Sequence, residues 1–235
     1  MINTQPAASA ALSQDELKTR VGQAALQYVV AGQILGVGSG STVNKFIDAL
    51  ASVRDQIKGA VSSSIASTER LQALGIEVFD SNQVERLSVY VDGADEIDHQ
   101  GNMIKGGGAA LTREKIVAAQ SAKFVCIVDQ SKLVQTLGRY PVPVEVIPMA
   151  VQRLVRQFAS IGAQARVRLQ DGQPLVTDNG QVILDVAGLR IWNPRAFESE
   201  VSQWPGVVTV GVFAFQQAQV CLMATASGVK TMNFY

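Results

Sequence analysis

Apolar residues along this chain keep two alternating rhythms. From Ser13 to Val30, Leu17, Val21, Ala24, Ala25 and Tyr28 recur at helical spacing. Ser13 with Glu16 three residues later forms a capping-box start for that helix. After Gly32 a short apolar run, Ile34 to Val37, leads into Gly38-Ser39-Gly40-Ser41-Thr42. Val43, Phe46, Ile47 and Leu50 then mark a second helix. The unit is strand, glycine-rich turn, helix, and it recurs. Ala60-Val61 enters a serine-rich turn and a helix from Ser67 to Leu74. Ile76 to Phe79 and Leu87 to Val91 read as strands ending at Asp80 and Asp92. Lys105-Gly106-Gly107-Gly108 opens a helix running through Ala119, and Lys123 to Val128 is an almost unbroken apolar strand ending at Asp129. Continuous apolar strands between helices predict a parallel sheet covered on both faces. Polar, acidic and glycine residues gather just after the strands, where open α/β sheets place their sites.

At Tyr140 the pattern changes. Pro141, Pro143 and Pro148 frame a strand from Val142 to Ile147, and a helix through Leu154, Val155, Phe158 and Ile161 follows. Ala165 to Leu169 and Val182 to Val186 are strands, separated by the turn signals Asp171-Gly172 and Asp178-Asn179-Gly180. Pro194 starts a helix to Gln203, and Val207 to Phe213 is a strand. The order β-α-β-β-α-β is the ferredoxin-like arrangement. The expected fold class is therefore α/β: a Rossmann-like parallel sheet with helices on both faces, formed by 1–140 and 214–235, plus a smaller ferredoxin-like α+β domain, 141–213. Val220 to Ala224 would be a strand rejoining the first sheet.

Composition narrows the function. The chain has 235 residues, 47% hydrophobic, with 20 basic and 20 acidic side chains. A zero net charge argues against holding nucleic acid or an anionic membrane by bulk electrostatics. Two cysteines, Cys126 and Cys221, read as buried thiols in apolar runs, and His99 is the single histidine. A multi-histidine metal site and a Ser-His-Asp triad are both disfavoured. No apolar run approaches the roughly 18 residues of a membrane span. The opening MINTQPAASAALSQ reads as a short polar tail rather than a secretory signal. A soluble cytoplasmic protein is the expectation.

Three constellations carry candidate chemistry. In the first, residues 36–42, glycines let backbone approach an anion, and Ser39, Ser41 and Thr42 add hydroxyls at a helix N-terminus. The spacing is neither a nucleotide P-loop nor G-x-G-x-x-G, and a tight turn without a ligand is the alternative. The second is Asp92-Gly93-Ala94-Asp95-Glu96 with Asp98, a set for acid/base work or metal binding. Its spacing disfavours calcium and leaves magnesium open. Glu96 and Asp98 read as solvated turn acids. The third is Lys105 to Lys115. Its glycines let backbone and Lys105 close on a substrate. Glu114 sits about two turns into the following helix, on a different face from Thr112, and by spacing alone it is a solvated helix charge. Lys132, after Asp129, is a further cation of phosphate-reaching length.

Taken together, GVGSGST at 36–42, YVDGADEID at 90–98, MIKGGGAALTREKI at 103–116 and TDNGQVILDV at 177–186 closely resemble the type A ribose-5-phosphate isomerases. The likeness runs from about Gln14 to Lys230. It implies interconversion of ribose 5-phosphate and ribulose 5-phosphate through a cis-enediolate, in pentose phosphate metabolism, with no metal and no cofactor. It implies Glu114 as the base that moves a proton between C2 and C1. Asp92 and Asp95 would handle hydroxyl protons. Lys105, with the backbone N–H groups of Gly106, Gly107 and Gly108, would stabilise negative oxygen. Ser39, Gly40, Ser41 and Thr42 would hold the phosphate, with Gly93 and Ala94 also lining the substrate. Lys132 would assist as a cation, and Lys18 more weakly. The expected partners are a phosphopentose and a second copy of the chain in a homodimer, with no nucleic acid and no membrane. Ser39 stands where the family usually has Thr, and Ile65 where an acid is usual. A sugar-phosphate sensor and a nicotinamide-dependent oxidoreductase are the rival readings. The retained base and the short segment before the first helix oppose the sensor, and the glycine spacing opposes the oxidoreductase.

Overall fold

Ser13 starts the first helix as its capping box requires. Its Oγ accepts the Glu16 N–H at 3.2 Å, and Glu16 Oε2 accepts the Ser13 N–H at 2.7 Å. The computed structural model describes residues 12–234, so most of the expected polar tail, 1–11, lies outside the described residues, as does residue 235. Helix α1 (Gln14–Ala24) ends earlier than its periodicity predicts. Ala25–Tyr28 tightens into a 3₁₀ turn, as the chain folds back through Gly32 to enter the sheet.

The first half then alternates: β1 (Ile34–Val37), α2 (Ser41–Leu50), β2 (Gly59–Ser62), α3 (Ile65–Ala73) and β3 (Tyr90–Asp92). A short pair, β4 (Glu96–Ile97) and β5 (Met103–Ile104), precedes α4 (Leu111–Gln120) and β6 (Phe124–Asp129). The second half runs β7 (Val142–Val146), α5 (Val151–Ser160), β8 (Gln164–Val167), the hairpin β9 (Leu169–Gln170) and β10 (Gln173–Pro174), β11 (Val182–Ala187) and α6 (Pro194–Val201). It closes with β12 (Val207–Val210), β13 (Val212–Phe213), β14 (Val220–Thr225) and β15 (Gly228–Asn233).

The main sheet has the order β15-β14-β6-β3-β1-β2 and is parallel except for β15. The smaller sheet, β12-β7-β11-β8, is antiparallel throughout. The molecule is thus mixed α/β, with a main, mostly parallel sheet and a smaller antiparallel one. Strand alternation divides the core: Val91 faces α2, whereas Tyr90 faces α4. The α2 stripe of Val43, Phe46, Ile47 and Leu50 is fully buried. At roughly 1.5–3 kcal/mol per large side chain, that stripe sets the helix on the sheet. Cys126 and Cys221 are buried free thiols, in register on β6 and β14. Among the described residues no helix is long and apolar enough to cross a membrane.

Several expectations need correction. Residues 76–79 lie along the open edge of β2 and form only a bridge, Val78 to Ala60. The strand expected over Val207 to Phe213 breaks at Gly211. A Cβ there would sit 2.4 Å from the Lys105 carbonyl oxygen and 2.6 Å from that of Pro143. On one side of this contact β12 pairs with β7, and on the other β13 pairs with β5. Strand β15 was not legible, because its residues are half-buried or exposed and carry no apolar run.

Candidate active site

Strands β6, β3 and β1 are neighbours, so the loops leaving their carboxyl ends converge. They enclose a cleft of about 280 Å³ with the Lys105–Gly108 loop on one side and the start of α1 at the rim. Lys18, Ser39, Gly40, Ser41, Thr42, Gly93, Ala94, Asp95, Lys105, Gly106, Gly107, Gly108, Glu114 and Lys132 all line it. These residues span the sequence from α1 to the turn after β6, and the fold brings them together. Asp92 is the exception: it is wholly buried beneath the floor.

Asp92 is saturated with donors. Its Oδ1 accepts from the N–H groups of Ser39 (3.1 Å) and Gly93 (2.7 Å). Its Oδ2 accepts from the Tyr90 hydroxyl (2.5 Å) and Lys105 Nζ (2.7 Å). The turn after β1 can come this close only at a glycine, since a Cβ on Gly38 would lie 2.0 Å from Asp92 Cγ. The expectation that Asp92 works on substrate hydroxyls does not fit this burial. Lys105 Nζ also donates to the Gly93 carbonyl at 2.6 Å and faces Glu114 Oε2 at 3.1 Å. Burial works against its charge, but the carboxylates of Asp92 and Glu114 outweigh burial and hold its pKa above the ordinary lysine value.

Glu114 overturns the reading by spacing: it is 3% exposed, in the first turn of α4 rather than two turns in. The helix starts late because Ala109 takes a left-handed conformation, φ 61°, at a cost of roughly 1–2 kcal/mol for an L-residue. Glu114 Oε1 accepts from Ser39 Oγ at 2.5 Å. Its Oε2 is within ion-pair distance of Lys105 but makes no aligned hydrogen bond among the described residues. Burial, reinforced by the Asp92 charge, pushes its pKa up to about 7 against the opposing pull of Lys105 and Ser39. Asp95 is half-buried, and burial raises its pKa too, tempered by the Gly107 N–H on Oδ2 at 2.8 Å.

The rim is cationic although the chain is neutral. Lys18 Nζ donates to Ser41 Oγ at 3.0 Å, and Lys132 lies across the cleft. Helix α2 opens at Gly40, φ 94°, with no side-chain cap on its first N–H groups, which leaves them for an anion. Among the described residues no group of three or more His, Cys, Asp or Glu is arranged to hold a metal ion. Glu96 and Asp98 are buried, not solvated turn acids. Glu96 accepts the N–H groups of Gly138 and Tyr140 at 2.8 and 2.6 Å, while Asp98 accepts those of Gln100 and Asn102 at 2.8 and 2.9 Å.

Sequence reasoning missed several participants. Tyr90 was legible, being two residues before Asp92 on the same face of β3. Gln14 was legible too, one helical turn before Lys18, and it lines the cleft with Asp129. Arg168 gave no local signal: it reaches the Gly106–Gly108 loop from the smaller sheet.

Comparison with known proteins gives a consistent set of relatives. Residues 59–228 match the family model described as ribose 5-phosphate isomerase A (phosphoriboisomerase A). The chain is 73% identical over 234 residues to a ribose-5-phosphate isomerase A of Albidiferax ferrireducens, covering 100% of both chains. It is 69% identical over 227 residues to one from a Polaromonas species, covering 95% of each. Among solved structures it resembles ribose 5-phosphate isomerase A from Neisseria gonorrhoeae, with a TM-score of 0.91, 42% identity, and 95% and 98% of the two chains covered. A D-ribose-5-phosphate isomerase in complex with phospho-erythronic acid matches at a TM-score of 0.90 and 35% identity, over 94% of this chain and 100% of that one.

Proposed function

The chain belongs to the ribose 5-phosphate isomerase A family, and from that premise we propose which side chain does which part of the work. Its activity is the interconversion of ribose 5-phosphate and ribulose 5-phosphate, a step of pentose phosphate metabolism. The observation that carries the assignment is Glu114: a buried carboxylate facing the cleft, with a pKa pushed up to about 7.

In the forward direction Glu114 takes the C2 proton of the open-chain aldose. The C2 electron pair forms a C1–C2 double bond and the carbonyl pair moves onto O1, giving a cis-enediolate. A hydroxyl proton passes between O2 and O1, and Glu114 returns its proton to C1. Asp95, which lines the cleft, handles the hydroxyl protons, including those of ring opening. Asp92 instead serves as the buried anchor of Lys105. Two Lys105 protons are committed to Asp92 and the Gly93 carbonyl, and the third side of the ammonium faces the Glu114 carboxylate without an aligned hydrogen bond. When Glu114 is protonated its attraction for Lys105 falls, and the remaining ammonium N–H is free to serve the negative oxygen just as that charge develops, while Asp92 and the Gly93 carbonyl keep the ammonium in place. The backbone N–H of Gly108 adds a second donor there. The phosphate lies between Lys18 and Lys132 on the open N-terminus of α2, with the hydroxyls of Ser41 and Thr42. The neighbour's phospho-erythronic acid carries a phosphate and a carboxylate, and such a doubly anionic molecule suits a cleft with Lys18 and Lys132 at the phosphate end and Lys105 at the other.

The finer reading of the fold belongs with this proposal. The order β12-β7-β11-β8 supports a ferredoxin-like unit over 141–213. The parallel β6-β3-β1-β2 series supports a Rossmann-like unit over 1–140 and 214–235. A homodimer is the assembly proposed from the family. The test of the function is conversion of ribose 5-phosphate by the purified protein with EDTA present and no cofactor added. Turnover that vanishes on chelation and returns with magnesium would refute the metal-free reading.

A further inference from the structure

The Lys105–Gly108 loop has three glycines in succession, so little in its own sequence fixes its peptide planes. Something outside the loop does. Arg168 stands between β8 and β9 on the smaller sheet, its side chain 13% exposed. Its Nε and Nη2 grip Asp185 of β11 at 2.9 and 2.5 Å. This forked grip sets the guanidinium plane, and with it the position of Nη1. Nη1 donates to two carbonyls at once, those of Gly106 and Gly107, each at 2.8 Å.

A trans peptide points its carbonyl and its N–H in opposite directions. Drawing the Gly106 and Gly107 carbonyls to one side therefore turns the N–H groups of Gly107 and Gly108 to the other. The Gly107 N–H reaches Asp95 Oδ2 at 2.8 Å. The Gly108 N–H has no acceptor among the described residues, and Gly108 lines the cleft beside Ser39. The Gly106 carbonyl has a second tie, the Ala109 N–H at 2.9 Å, but the Gly107 carbonyl is held by Arg168 alone among the described residues.

We propose that Arg168, braced by Asp185, is a positioning residue for the reaction: it aims the Gly107 N–H at Asp95 and the Gly108 N–H at the developing enediolate oxygen. The proposal rests on the isomerase reading of the cleft and deepens it. Arg168 touches no substrate; it acts through two peptide groups. Lysine cannot replace it, since an ammonium offers no fork to hold Asp185 and two carbonyls together.

The test uses the full-length protein with Arg168→Met and Arg168→Lys. The readouts are kcat, KM for ribose 5-phosphate, and the inhibition constant of inorganic phosphate, which reports the phosphate subsite alone. Losing one aligned oxyanion donor costs about 10²–10³-fold in other enzymes, so misaiming one should lower kcat roughly 10–100-fold in both variants. KM and the phosphate constant should stay within about threefold, because remote binding is untouched. A kcat within twofold of wild type in either folded variant overturns the proposal. So does parallel loss of phosphate affinity, which would mean a loosened site rather than a misaimed loop. If Arg168→Met does not fold, Arg168→Lys carries the same criterion. Wild type and Glu114→Gln run alongside separate the two readings. An inactive wild type removes the isomerase reading, and an active Glu114→Gln removes its base, whereas the kcat-against-phosphate split in Arg168 variants judges the positioning role.

Discussion

Glu114 is held by opposing forces that leave it close to neutral pH. Burial and Asp92 favour its proton, while Lys105 and Ser39 oppose it, and the balance falls at about 7. A general base works best with a pKa near the working pH. Only the ionised carboxylate can accept the C2 proton, so kcat/KM should fall as pH drops below about 7, roughly tenfold per pH unit. An unperturbed glutamate would place that limb near pH ~4.3, and a measured limb there would refute the burial argument. Glu114→Gln keeps size but cannot take the proton. It should lower kcat roughly 10²–10⁴-fold, about 3–5 kcal/mol, with substrate binding little changed. Exchange of the C2 hydrogen with deuterated water should fall with it. If exchange persists at near wild-type rate, Asp95 is the base instead.

A base is only as well placed as its helix, and α4 is tied on both sides of Glu114. Thr112 Oγ1 donates to Glu145 of β7, a wholly buried carboxylate that also accepts from Thr177 Oγ1 at 2.6 Å and Asn179 Nδ2 at 3.2 Å. Lys115 Nζ donates to Glu198 at 2.6 Å and to the carbonyls of Val210 and Val212, each at 2.8 Å. Glu145, Glu198 and Val210 belong to the smaller sheet or its helix α6, and Val212 to β13, which follows it. Glu145→Ala leaves the Thr112 and Thr177 hydroxyls without this acceptor. At about 1–3 kcal/mol per unsatisfied group, the two hydroxyls put the loss of stability at roughly 2–6 kcal/mol. Urea denaturation should show a lower midpoint with an unchanged slope. A loss under about 0.5 kcal/mol would mean that relaxation or water satisfies these groups instead. These ties were invisible in the sequence, where Thr112 and Glu145 look like ordinary polar positions 33 residues apart.

The whole molecule brings two sheets to one cleft: the main sheet supplies the strand ends, and the smaller one braces the loop and helix that face them. Its outer surface bears large exposed apolar side chains, among them Met149 (95%) and Trp192 (75%). Light scattering at micromolar concentration should give twice the mass of one chain, and a single-chain mass would reject the homodimer. Much of this architecture was readable beforehand. The α1 cap, the α2 stripe, the glycine turn after β1 and the apolar β6 each follow from rules that act over a few residues: side-chain period, capping chemistry and backbone freedom. The family motifs singled out Glu114, Asp95 and Lys105 as well. What the chain could not disclose is which charges are buried, because burial depends on what arrives from elsewhere. Glu114 meets Ser39 from 75 residues away, and Arg168 reaches the Gly107 carbonyl across 61. Asp92 looks like a substrate-facing acid in sequence and lies under the floor in space. A carboxylate's pKa and its reach are properties of the surrounding dielectric and neighbouring charges. Those exist only once the two sheets have packed together.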